Sequence, residues 1–84
     1  MEKKKRQPLE AEKEIRDLGA RLKYLRKKAG YTSAETFSND HDLNRALYGK
    51  YESGKKDMQF TTLVKLVNCH GLTLEEFFAV KVDA

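Results

Sequence analysis

The sequence has one cysteine, Cys69, so no disulfide can close within the chain, and a reducing, cytoplasmic setting is expected. No apolar run approaches the length of a membrane span, and Met1–Arg6 leads into charge rather than into the apolar stretch of a secretory signal, so no membrane contact is expected. There is no glycine-rich phosphate loop, no arranged pair of catalytic carboxylates and no paired metal-ligand spacing. Hairpin signals, internal repeats and low-complexity segments are also missing. With 84 residues there is room for one domain and one core. Such a chain buries only roughly 60–65% of its unfolded surface, which leaves little for a deep cleft or a second, ligand-sensing domain. An enzyme has almost no support, and no cofactor is expected.

Charged residues make up 36% of the chain and apolar ones 39%, a balance suited to short amphipathic helices with wet outer faces. The net charge of +4 is modest, and its distribution says more than its total. Residues 1–30 carry eleven Lys/Arg against five Asp/Glu, whereas residues 31–54 carry two against four. If the partner is DNA, part of the sequence-independent attraction is expected from the first third.

Met1–Gln7 reads as a solvated basic terminus. Pro8 suits the first turn of a helix, and Ile15, Leu18, Leu22 and Leu25 fall on one helical stripe that runs to Gly30. The start of this helix is open between Pro8 and Asp17. Ser33 or Thr32 can cap a short second helix, with Thr32 and Glu35 at capping-box spacing, and Asn39-Asp40-His41-Asp42 should stop it. Asn44 caps a third helix from Arg45 to about Ser53, with Leu47, Tyr48 and Tyr51 inward and Gly54 as its stop. A fourth begins at Thr61 or Thr62 and ends at Gly71, and Thr73-Leu74-Glu75-Glu76 opens a fifth. Five short helices with brief connections predict an all-α domain.

Two short helices joined by a tight polar turn, over Ser33 to Gly54, make the unit that inserts its second helix into a DNA major groove. Residues Gly19–Arg26, Gly30–Ser38, Asn44-Arg45 through Tyr51-Glu52-Ser53-Gly54, Leu63–Val67 and Gly71–Phe77 together resemble the lambda-repressor/Cro-like (XRE-type) helix-turn-helix family, in order and in spacing. The resemblance covers roughly residues 18 to 78. It implies a five-helix DNA-binding domain from a bacterium or phage, acting as a transcription regulator and repressor.

By that resemblance Asn44 caps the recognition helix, and Arg45, Ala46, Gly49 and Lys50 form its outward face. Arg45 and Lys50 are the expected base readers, because a guanidinium or an amine can bond guanine O6 and N7. Asn44, Ser53 and the start of the second helix at Ser33 and Ala34 are expected to meet phosphate. Arg26 and Glu52 are expected to form a partly buried ion pair that orients the first helix against the recognition helix. The sequence departs from the family pattern at Asp42, where the turn usually has glycine, at Ser38 for alanine, at His41 for an apolar residue and at Met58 for proline.

Cys69 and His70 are adjacent and His41 is distant, so no metal site is expected, and Cys69 reads as a small buried residue. Tyr24, Tyr31, Tyr48 and Tyr51 read as core or edge residues. Phe78, Val80 and Val82 alternate, which leaves open a short strand pairing with a second subunit or a return onto the first helix. The expected organisation is a basic tail at 1–8, the helix-turn-helix domain at 9–79 and a C-terminal tail at 80–84. Double-stranded DNA is the expected partner, bound by a homodimer, since two-fold operators call for one in this family. The alternative is a protein-interaction module of the same fold, such as an antitoxin or phage-derived regulator, favoured by the acidic balance of residues 31–54.

Overall fold

In the computed structural model, which describes residues 8–82, the stripe Ile15, Leu18, Leu22, Leu25 belongs to one long helix, α1 (Ala11–Lys28). Glu12 and Glu14 lie in its first turn and Arg26, Lys27 and Lys28 in its last, an order that complements the helix dipole. Its cap is Glu10, so Pro8 precedes the helix instead of opening it. The basic stretch 1–7 lies outside the described residues.

Helix α2 (Ala34–Asp40) is capped by Ser33, whose Oγ accepts from the Thr36 amide at 3.1 Å. The Thr32–Glu35 capping box does not form, because a cap at Ser33 puts Thr36 in the reciprocal position. Helix α3 (Arg45–Glu52) follows, and α4 (Phe60–Cys69) starts one residue before the earliest expected position. In α5 (Leu74–Ala79) the box does form: Thr73 Oγ1 accepts from the Glu76 amide at 3.1 Å, and Glu76 Oε1 accepts from the Thr73 amide at 2.9 Å. The described residues contain five helices and no strand, an all-α fold. None of these helices is long and apolar enough to cross a membrane.

Every helix sends a side chain to one core: Leu22 from α1, Phe37 from α2, Tyr48 and Tyr51 from α3, Leu63, Leu66 and Val67 from α4, and Phe77 from α5. Phe37 is at its centre, fully buried, with the His70 ring stacked on it at 5.3 Å and Tyr48 and His41 at 5.2 and 4.4 Å. The core therefore joins the turn after α4 directly to α2.

His70 is half-buried, and burial, helped by the nearby His41, pushes its pKa below the ordinary histidine value of 6.5. The folded state thus favours neutral imidazole. This contribution to stability is complete above the unfolded pKa near 6.5 and is lost as pH falls through that value toward the lower folded one. Thermal melts between pH 8 and pH 5 are expected to show a Tm that declines below about pH 6.5. His70→Gln should make that decline shallower, and an unchanged slope would assign it to other groups.

Cys69 is only partly buried, and burial raises its thiol pKa, which keeps it protonated. Among the described residues no three His, Cys, Asp or Glu side chains are grouped to hold a metal ion. After α5 the chain returns to α1. Arg21 donates from Nε to the Val80 carbonyl at 3.4 Å, with its guanidinium over the rings of Phe77 and Phe78 at 5.7 and 5.5 Å. Residues 80–82 are irregular, so the return onto the first helix, not a strand, is what this segment makes.

Candidate nucleic-acid interface

The geometry of the helix-turn-helix is set at Asp42. Its φ is +57°, in the left-handed region that glycine would enter without cost. That turn lets the Leu43 amide donate to the Ser38 carbonyl at 2.8 Å and the His41 amide to the Phe37 carbonyl at 3.1 Å, which closes the end of α2. The next residue, Asn44, then caps α3, its Oδ1 accepting from the Leu47 amide at 2.9 Å. The departures at Ser38 and His41 are absorbed locally. Ser38 is fully buried and donates to the Ala34 carbonyl at 2.8 Å, while His41 packs its ring on Phe37.

Helix α3 has two unlike sides. Tyr48 and Tyr51 are in the core with Leu47 packed against it, and burial pushes the Tyr48 phenol pKa up. On the other side Arg45, Ala46 and Lys50 are exposed, and Gly49 has open space where a Cβ would stand. Residues 45, 46, 49, 50 and 53 are spaced one and four apart, so they share one face. Ser53 is exposed at the end of this face, its Oγ donating to the Lys50 carbonyl at 3.1 Å. Ser33 and Ala34 lie half-buried at the start of α2. Lys55 and Lys56 follow α3 and share a groove with Arg16 of α1, together with Glu12 and Asp57, a mixed but net basic grouping that sequence reasoning did not bring together.

Arg26 ties three segments together. Its Nε and Nη2 donate to Glu52 Oε2 and Oε1 at 2.7 and 3.1 Å, and its Nη1 donates to the Tyr31 carbonyl at 2.9 Å. The pair is buried, with side chains 5% and 8% exposed, and the Glu52 carboxylate holds the guanidinium pKa above its usual value. α1, the segment entering α2, and the last turn of α3 are thereby held at one angle. Gly19 does the same by close approach. A Cβ there would overlap the Tyr51 carbonyl oxygen and stand 2.6 Å from that of Glu52, so the α1 backbone rests directly on the end of α3. Sequence reasoning missed this role, although a glycine inside a helical stripe is itself a signal of close packing.

The acidic balance of residues 31–54 has local causes. Glu35 bonds Arg45, Asp40 accepts from the Tyr31 hydroxyl at 2.9 Å, Glu52 pairs with Arg26, and Asp42 occupies the left-handed turn. The contact of Glu35 with Arg45 is the second one missed, because the capping-box spacing of Glu35 suggested a different partner.

A capped helix with an outward cationic face, set by a tight turn on a second helix and braced by a third, defines a helix-turn-helix DNA-binding protein. No family model matches the chain. Control protein C.MunI of Mycoplasma sp. is 38% identical over 61 residues, which span 73% of this chain and 82% of that protein. The crystal structure of the restriction-modification controller protein C.AhdI from Aeromonas hydrophila superposes with a TM-score of 0.69 at 27% identity, covering 79% of this chain and 98% of the other. The chain belongs to this family of control proteins and is a helix-turn-helix regulator of transcription. Both relatives are regulators, in line with the low enzymatic expectation from composition.

Proposed function

We propose that this chain controls transcription of a restriction-modification operon by inserting α3 into the major groove of operator DNA as a homodimer. The observation that carries the proposal is the division of α3, with Tyr48 and Tyr51 locked in the core and Arg45 and Lys50 in solvent. A helix anchored on one side presents the other at a fixed angle. Arg45 and Lys50 read bases, with Ala46 and Gly49 small enough to let the helix approach the groove floor. Asn44 and the first amides of α2 at Ser33 and Ala34 bind phosphate, as does Ser53 by turning its hydroxyl from the Lys50 carbonyl, and Lys55 and Lys56 add sequence-independent attraction. Dimerisation draws support from exposed Phe60, Phe78 and Val82, which one small core leaves uncovered. The alternative, a protein-interaction module of the same fold, draws on the acidic balance of residues 31–54, of which Glu35 and Glu52 are paired with Arg45 and Arg26.

The test is binding to duplexes selected from a random pool. Arg45→Ala is expected to flatten preference at one base position, a loss of about 1–3 kcal/mol on the preferred sequence. Ser53→Ala should weaken selected and random duplexes alike. If Arg45→Ala and Lys50→Ala both leave preference unchanged, α3 is not the reading helix.

A further inference from the structure

We propose that Glu35 is a positioning residue that sets the specificity of Arg45, an inference that rests on the groove placement of α3 above. Arg45 Nη1 donates to Glu35 Oε2 at 2.6 Å, joining the first turn of α2 to the first residue of α3. The side chains are 63% and 56% exposed. A pair this open adds little to stability, so its consequence lies in what it does to the arginine.

A guanidinium has five N–H donors, and Glu35 engages one nitrogen of Arg45. The Nη2 side remains free, which is enough to bond guanine O6 and N7 as a fork. Without the carboxylate, Arg45 on its flexible stem would meet phosphates as readily as bases. Glu35 holds the guanidinium near one geometry and offsets its charge, while its own charge repels the DNA backbone. It therefore weakens binding at every wrong sequence more than at the right one. Its second oxygen is free to accept from the N4 amine of a neighbouring cytosine, so the pair offers a donor edge and an acceptor side by side.

The experiment compares the full chain with Glu35→Gln, Arg45→Ala and the double variant on a selected duplex and a random duplex of equal length across salt. Glu35→Gln is expected to bind random duplex about threefold to tenfold tighter, with a log–log salt slope steeper by about 0.9, because Arg45 is freed to neutralise another phosphate. The selected-to-random ratio should fall several-fold, and this loss should vanish in the Arg45→Ala background. The melting temperature should fall by no more than about 4–8 °C, the equivalent of about 1 kcal/mol. If Glu35→Gln leaves the ratio intact while Arg45→Ala lowers it, the assignment to Glu35 fails and the groove placement stands. If Arg45→Ala also changes nothing, Arg45 is not a base reader and the proposal falls with it, and if Lys50→Ala is equally silent the groove placement itself fails. A large drop in melting temperature with equal loss on both duplexes would make the contact structural and overturn the proposal.

Discussion

Replacing Arg26 by alanine is expected to destabilise the domain by about 3–5 kcal/mol, because it strands the Glu52 carboxylate in a site with almost no water. The whole domain has roughly 4–13 kcal/mol to lose, by the usual stability per residue. At about 4–8 °C per kcal/mol for a domain of this size, Tm should fall by at least about 12 °C. The Tyr31 carbonyl loses its donor in the same step, which loosens the entry to α2. Replacing both partners, as Arg26→Met with Glu52→Leu, should recover most of that loss in Tm, since desolvation of the two charges offsets much of their attraction, with only the Tyr31 carbonyl left without its donor. The double variant separates stability from orientation: its fold should survive while affinity for operator DNA drops, as α3 keeps only the Gly19 contact to fix its angle to α1. Circular dichroism melts and duplex titrations check both. An Arg26→Ala protein that melts with the parent would contradict the buried pair.

The two glycines inside helices should respond with opposite signs to the same change. Gly19→Ala gains about 1 kcal/mol of helix propensity but drives a methyl group into the carbonyls of Tyr51 and Glu52, which are backbone and cannot rotate away. Overpacking of this kind typically costs about 1–3 kcal/mol and occasionally more, so the net effect should be a clear loss of stability and of DNA binding together. Gly49→Ala meets nothing within 4 Å and needs no unusual backbone, so it should stabilise the fold by about 0.5–1 kcal/mol. Its methyl group lies on the proposed reading face, so its effect on affinity tests the approach of α3 to the groove independently. Equal stability changes in the two variants would mean that α1 and α3 are not in backbone contact.

Much of the fold was legible because it rests on local physics. Gly30, Gly54 and Gly71 stop helices where a positive φ is needed, and Thr73 with Glu76 forms a box within four residues. The order and spacing of these short-range signals also carried the family resemblance. Where two local solutions competed, the sequence left the choice open. Thr32 and Ser33 both suit a cap, and the second won because it lets Thr36 complete the bond and frees Glu35 to reach α3. The first helix began where no side chain caps it, so no signal marked its start.

By itself the sequence determined the number, order and polarity of the helices, since capping, chain reversal and the 3.6-residue stripe depend on residues a few positions apart. Only the tertiary structure decided that Gly19 is a contact and not a weakness, that His70 stacks on Phe37, and that Glu35 holds Arg45. Those pairings join residues ten to more than thirty positions apart, and their partners are chosen by how the helices cross, a geometry that no local pattern encodes.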